Sequence, residues 1–400
     1  MNCLYIRLMS DVIIYEALRT PLGAGKRGGA LYEVKSIDLI ASGLLALRQR
    51  LSLDTALVDQ VYMGCMAPVD DRGYNVVRTG LLLAGWHART GAMQISAPGL
   101  EAVAQAAAQI HTGWASLAVA GGLDSTARAH LAEDGHPQWS DPYMVTNPDF
   151  IPSGIAADLL ATLHGISREE LDAYALESHQ RAARLAEGRY LAPIFDRNGM
   201  TILAEDEYGG ITLSPEQLAA ETPAFAALGA LGYDEIALRQ FPHIERIAHV
   251  HTSAHVAPRA DGAAFLLLGN TKATGLRPRA RILSAATVGA TPPMMPDSAI
   301  AAAESALRRA GKKAADIDLW ECQERFAALT IHFQHHFDLD ETRYNVNGGA
   351  LTFGDPPGAA GATTLCALLD EMERRNAATG LVALSASNGM GTAVVIELIK

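Results

Sequence analysis

Residues 359–391 read AAGATTLCALLDEMERRNAATGLVALSASNGMG. A helical apolar period over Ala359–Arg374 gives way to Gly380, the apolar strand Leu381–Leu384 and a Gly389-Met390-Gly391 turn. The same succession stands at residues 99–122, GLEAVAQAAAQIHTGWASLAVAGG: a helix over Gly99–His111, then Gly113, the strand Leu117–Ala120 and Gly121-Gly122. Two copies of helix, glycine, apolar strand and glycine turn, one in each half, imply an internal duplication. Short unbroken apolar runs between turn signals suit strands buried on both faces, so sheets covered by helices are expected.

Outward from these units the alternation continues. Val12–Tyr15 reads as a first strand, Ile37–Arg48 as an amphipathic helix and Gln60–Met63 as a second strand. Arg128–Phe150 is rich in Pro, Asp, Asn and aromatics and reads as an excursion loop. Ser167-Arg168-Glu169-Glu170 is a capping box opening a helix that Gly188 should end. The expected organisation is a first half over residues 9–127 and 200–242, an inserted loop domain over 128–199, and a second half over 243–400.

The bulk properties narrow the function. At 400 residues and 49% hydrophobic content the chain can bury one large core or two fused ones. A formal charge of −12 argues against a nucleic-acid partner, which requires a concentrated basic surface. No apolar run reaches the roughly 20 residues of a membrane span. The segment Met1–Met9 is too short for a signal peptide, and Met9 is a candidate start. Cys3, Cys65, Cys322 and Cys366 lie far apart without metal spacing, which suits a reduced, cytoplasmic protein with buried thiols.

At a series of framework positions the chain resembles the thiolase family, the acetyl-CoA C-acyltransferases. The matches are Arg19-Thr20-Pro21, Gly165 to Glu170, Ser178-His179, Asp261-Gly262-Ala263-Ala264, Asn345-Val346-Asn347-Gly348-Gly349-Ala350 and Gly389-Met390-Gly391. The order and spacing carry the resemblance, which runs from Val12 to Ile399. It implies two similar halves in five α-β-α-β-α layers with an inserted loop domain. It also implies acyl-CoA as ligand, no resident cofactor or metal, and dimers or tetramers.

The residues that carry thiolase chemistry are replaced. The family nucleophile is a Cys at a helix N-terminus, where the dipole favours a thiolate. Here the matching stretch, Ala92 to Leu100, is three residues short and offers Ser96, whose expected job is to cap the helix. The family Gly-His-Pro reads Gly354-Asp355-Pro356, which puts an anion where a donor to an oxyanion is needed. Asp355 is expected to cap the helix beyond it. The second family Cys becomes Ser385, and the glycines after it become Ser387-Asn388-Gly389. The Asn-Glu-Ala-Phe-Ala motif reads Gln323-Glu324-Arg325-Phe326-Ala327. By resemblance His255, Ala257, Arg325 and Phe326 border the CoA tunnel, and an Arg325–Asp355 ion pair is the expected filling of the vacant site.

Two readings follow. One is a degenerate thiolase that binds an acyl-CoA-like ligand or pairs with an active thiolase. The other is an acyltransferase or thioesterase built on Ser96, His255 and Asp355, residue types that suit a triad if their side chains meet. His249 and His251 on one strand face, and His332, His335 and His336 on one helical turn, lack carboxylate or Cys neighbours in sequence. They read as surface or packing histidines.

Overall fold

The computed structural model describes residues 10–128, 140–184, 190–209, 213–271, 275–291, 293–294 and 297–399. Five strands build the sheet of the first half: β1 (Val12–Arg19), β2 (Gln60–Gly64), β3 (Gly91–Ile95), β4 (Leu117–Asp124) and β5 (Ala260–Gly269). Their spatial order is β3-β2-β4-β5-β1. Four strands build the second: β6 (Ala280–Gly289), β7 (Leu319–Cys322), β8 (Thr379–Ser385) and β9 (Met390–Leu398), in the order β7-β8-β9-β6.

The two orders superpose. β2 and β4 run parallel, β5 lies antiparallel between β4 and β1, and β7, β8, β9 and β6 repeat that sequence of directions. The internal duplication is therefore real at the level of topology. β1 also pairs with β6 over Val12–Ile14, so the two sheets join at their duplicated first strands. β5 falls inside the 243–400 segment yet pairs with β1 and β4, so the first sheet reaches to Gly269.

Helix α3 (Gly99–His111) packs on the inner face of the first sheet, and the late Ala-rich helix, running over Ala362–Arg375, packs on the inner face of the second. The two helices share one core with Ala118, Ala120, Val382 and Val394. Small residues allow the approach: a Cβ on Gly99 would lie 2.9 Å from that of Ala362. The late helix begins at Ala362 rather than Ala359, because Pro356 and Pro357 precede it and Gly361, at φ 71°, sits outside the helical region. On the outer faces lie α1 (Ser36–Leu51) and α2 (Val76–Leu83) for the first sheet. For the second these are α6 (Asp297–Ala310) and α7 (Ala327–Phe337). The layers are thus α-β-α-β-α, as expected.

The inserted region contributes α4 (Ser153–His164) and α5 (Arg168–Ala182), both packed against α7. The capping box is present: Glu170 N–H donates to Ser167 Oγ at 3.2 Å, and Ser167 N–H donates to Glu170 Oε2 at 2.9 Å. Gly188 and Met1–Met9 lie outside the described residues. No helix among the described residues is long and apolar enough to cross a membrane.

The two outer edges differ. The β7 edge is covered, since Trp320 N–H donates to Arg343 O at 2.7 Å and Asn345 N–H donates to Trp320 O at 3.0 Å. On the β3 edge the cover among the described residues is a side chain, Asn75 Nδ2 donating to Ala92 O at 3.1 Å, and Met93 on it and Leu82 and Leu83 on α2 are exposed. An open edge beside apolar surface invites pairing with a second copy. Light scattering is expected to report a dimer or tetramer, and Met93→Lys is expected to shift the mass toward about 42 kDa. A parent chain that scatters as a monomer at micromolar concentration contradicts this.

Candidate functional site

The C-terminal ends of β2, β4 and β7 point into one region, where the segment 354–361 crosses from the second half to the first. Contact there is backbone to backbone. A Cβ on Gly122 would lie 2.0 Å from Gly358 O, and one on Gly358 would lie 2.1 Å from Leu123 O. Gly358 N–H donates to Asp124 Oδ2 at 2.7 Å, and the Arg72 guanidinium bonds the other oxygen of that carboxylate. Arg72 and Asp124 are fully buried. Burial pushes the Asp124 carboxyl up, and Arg72 pulls against it.

Asp355 is buried and is tied down by its neighbours. Its backbone N–H donates to Pro258 O at 2.8 Å, and its oxygen accepts from Ala260 N–H at 3.0 Å. Gln323 Nε2 donates to Asp355 Oδ1 at 3.0 Å, and Thr364 Oγ1 donates to Gln323 Oε1 at 2.7 Å. Burial raises the Asp355 pKa, Arg325 lowers it, and the nearby Asp124 raises it again. Gln323 and Asp355 are therefore brought together. Two expectations fail here. Asp355 caps no helix, because its carboxylate turns to Gln323 while Gly358 N–H is taken by Asp124. Nor does a salt bridge join Arg325 to Asp355 among the described residues; the two act on each other only at longer range.

Ser385 sits at the end of β8, buried, where its Oγ accepts from Ala299 N–H at 3.1 Å in the first turn of α6. It thereby serves a helix start. Ser96 is exposed, in a cleft lined by Pro68, Tyr74, Asn75 and Gln94 at the β3 edge. It does not cap α3: the N-cap is Pro98, and no side chain caps the helix.

His255 is fully buried, with Nδ1 accepting from Thr252 N–H at 3.0 Å and Nε2 lying 2.8 Å from Asp172 Oδ1. Burial lowers its pKa to about 4, with Asp172 opposing and His251 and Arg168 adding to the shift. The ring is neutral; Nδ1 is hydrogen-bonded, while Nε2 lies close to Asp172 without a well-directed hydrogen bond. Among the described residues Ser96, His255 and Asp355 make no hydrogen bonds to one another: His255 turns to Thr252 and Asp172, Asp355 to Gln323.

Ala257 N–H donates to Arg325 O at 3.1 Å, and Val256 bridges Phe326, so this segment lies against the Gln323–Ala327 motif. Phe326 packs against Phe225 and His251 at ring distances of 6.2 and 6.0 Å. Residues 249–251 form no strand; His249 and His251 turn both rings onto the buried carboxylate of Asp158, at 2.8 and 2.7 Å. The three described cysteines are buried, and burial pushes Cys65 and Cys366 up to about 12 and Cys322 higher still. All three thiols are neutral and inert.

Arg72, Asp124, Thr364 and Asp172 were not singled out from sequence. Asp124 alone carried a signal, a carboxylate closing an apolar strand after two glycines. A surface cleft between Arg50, Arg277, Arg279 and Glu373 shares no residue with this region.

Comparison with known proteins gives the class. Residues 12–232 match the family described as thiolase, N-terminal domain, and residues 276–398 match thiolase, C-terminal domain. The chain belongs to the thiolase family of acyltransferases. It is 31% identical to a 3-ketoacyl-CoA thiolase of Klebsiella pneumoniae, over 97% of this chain and all of that one. It is 33% identical to a 3-ketoacyl-CoA thiolase of Serratia proteamaculans, again over 97% of this chain and all of the relative. The crystal structure of the Bacillus anthracis acetyl-CoA acetyltransferase superposes with a TM-score of 0.83 at 28% identity, covering 98% of this chain and 100% of that one.

The geometry of His255 predicts a pH signature. An imidazole with a folded pKa near 4 and an unfolded value near 6.5 leaves the unfolded chain holding more protons between those values. Its contribution is present above about pH 6.5 and is lost as pH falls toward 4, on the order of 3 kcal/mol. Urea unfolding from pH 7 to 4.5 is expected to show a shallower loss of stability in His255→Asn than in the parent. Parallel curves for the two chains contradict a neutral buried ring.

Proposed function

We propose that this chain is a thiolase-fold protein that has lost Claisen condensation and thiolysis, and that it retains recognition of an acyl-CoA-like ligand or serves as a partner subunit of an active thiolase. The observation that carries the reading is the Gln323–Asp355 hydrogen bond. By family resemblance this place belongs to a histidine that deprotonates the nucleophile and donates toward an oxyanion. A buried carboxylate held by an amide can still accept a proton, but it supplies no donor, and its charge opposes an oxyanion.

The remaining positions support the same reading. Ser96 has no base beside it, and a hydroxyl without a base is a poor nucleophile. Ser385 spends its oxygen on Ala299 N–H, and no thiol in this region ionises near neutral pH. Ligand binding is supported by the family resemblance, which sets Ala257 and Phe326 at the CoA tunnel, and by the pairing of their two segments. A cytoplasmic homo-oligomer belongs to the same proposal, as pairing through β3 would cover the cleft that holds Ser96. The active alternative needs Ser96, His255 and Asp355 in one constellation, and their hydrogen bonds go elsewhere.

Thiolase catalysis needs its groups as a unit, so single repairs are expected to fail. Acetoacetyl-CoA cleavage is expected at background for the parent and for Ser96→Cys. Little should return in Ser96→Cys, Asp355→His and Ser385→Cys combined, because a misplacement of ~1 Å costs on the order of 100-fold. Calorimetric titration with CoA and acyl-CoAs tests the binding half separately. CoA-dependent thiolysis by the purified parent at ordinary enzyme rates, free of host thiolase, would falsify the proposal.

A further inference from the structure

Away from the Gln323–Asp355 region, three side chains distant in sequence meet at one point. His164 is the last residue of α4, Asp297 the first of α6, and His332 lies in the second turn of α7. One ligand atom from each lies within 4.8 Å of the other two. The imidazoles of His164 and His332 stack with centroids 3.8 Å apart and planes at 31°. His332 Nε2 approaches Asp297 Oδ1 to 3.2 Å. The carboxylate partner that the sequence pattern lacked is thus delivered by the fold.

One further feature points to a missing ligand. Asp297 Oδ1 is shielded from water and, although His332 Nε2 lies 3.2 Å away, makes no well-directed hydrogen bond among the described residues, an unfavourable state for a carboxylate oxygen. A shared positive centre would satisfy that oxygen and engage both imidazoles.

We propose that His164, His332 and Asp297 form a binding site for a divalent cation of the Zn2+, Ni2+ or Co2+ type. Two imidazole nitrogens and one carboxylate oxygen suit borderline ions of this class and leave further positions to water. An ion about 2.0–2.1 Å from each nitrogen needs donors roughly 3.3 Å apart and both ring planes turned toward it, so the facing imidazoles must rotate on binding. His164 is exposed and gives an entry path. Because α4 belongs to the inserted region while α6 and α7 belong to the second half, the bound ion would fasten one to the other. One turn further along α7, His336 pairs separately with Glu304 at 3.0 Å and lies outside the cluster.

The test uses the untagged full chain, stripped with chelator and titrated with Zn2+, Ni2+ and Co2+ separately. One saturable equivalent, a raised Tm and visible absorption from bound Co2+ are expected. Asp297→Asn and His332→Gln should each weaken binding by about tenfold or more. His335→Gln, an exposed change on the same helix, should leave it unaltered. His164→Gln is the variant least able to disturb folding, since its side chain is at the surface, and it should weaken binding as well. Absence of saturable binding in the micromolar range, or affinity unchanged in His164→Gln and Asp297→Asn, overturns the proposal. The readout is independent of CoA binding and thiolysis, so it stands or falls apart from the proposed function.

Discussion

The buried carboxylate of Glu324 is the constraint around which the candidate site is organised. It accepts from Tyr174 OH at 2.7 Å, Ser178 Oγ at 2.8 Å and Leu351 N–H at 3.2 Å, and Asn345 Nδ2 lies 3.4 Å away. Burial raises its pKa, and these donors, Tyr174 first, pull it back. A carboxylate so enclosed is tolerable only with its lone pairs filled, and deletion of a donor leaves a costly unsatisfied group. Gly349 follows from the same demand, since a Cβ there would lie 2.8 Å from the Glu324 carboxyl. Three framework motifs, on α5, after β7 and at Asn345–Ala350, are thereby one network. Gln323 and Arg325 flank Glu324, so the network also fixes the groups that face Asp355.

Asp158 performs the same service for the inserted region. It gathers His249, His251 and the backbone N–H groups of Val250 and His251. His251 then leans on Phe326, and α4 is joined through it to the start of α7. Imidazoles that in isolation suggest catalysis act here as clamps. His255, held through Nδ1, is another. The buried Arg72–Asp124 pair completes the set by holding Gly358 across the two halves. These polar networks hold the thiolase scaffold in one geometry.

Ser385 and Asp355, which the family resemblance sets at catalytic positions, each make a hydrogen bond to a remote segment: Ser385 Oγ accepts from Ala299 N–H and Asp355 from Gln323. A buried polar site must satisfy its own donors and acceptors. The expected Arg325–Asp355 ion pair was one such solution, and the shorter amide–carboxylate bond is the one adopted. Arg325 acts on that carboxylate at longer range, with no salt bridge to it among the described residues.

The amino-acid sequence by itself determined sheets covered by helices, the duplication, the capping box at Ser167 and the helix over Gly99–His111. Each is written in local periods and glycine positions, because hydrophobic burial and backbone freedom act over a few residues at a time. The five-layer order, and the match of Ser96, Asp355 and Ser385 to catalytic positions, came from the resemblance to the thiolase family. Only the tertiary structure decided which side chains meet. Asp124 with Gly358, Glu324 with Ser178, Asp158 with His251, and His332 with Asp297 and His164 all join residues that are remote along the chain. Strand order and helix crossing set such meetings, and no local pattern encodes them. The registers of α4, α6 and α7 against one another, rather than any motif, placed two imidazoles and a carboxylate at a single point.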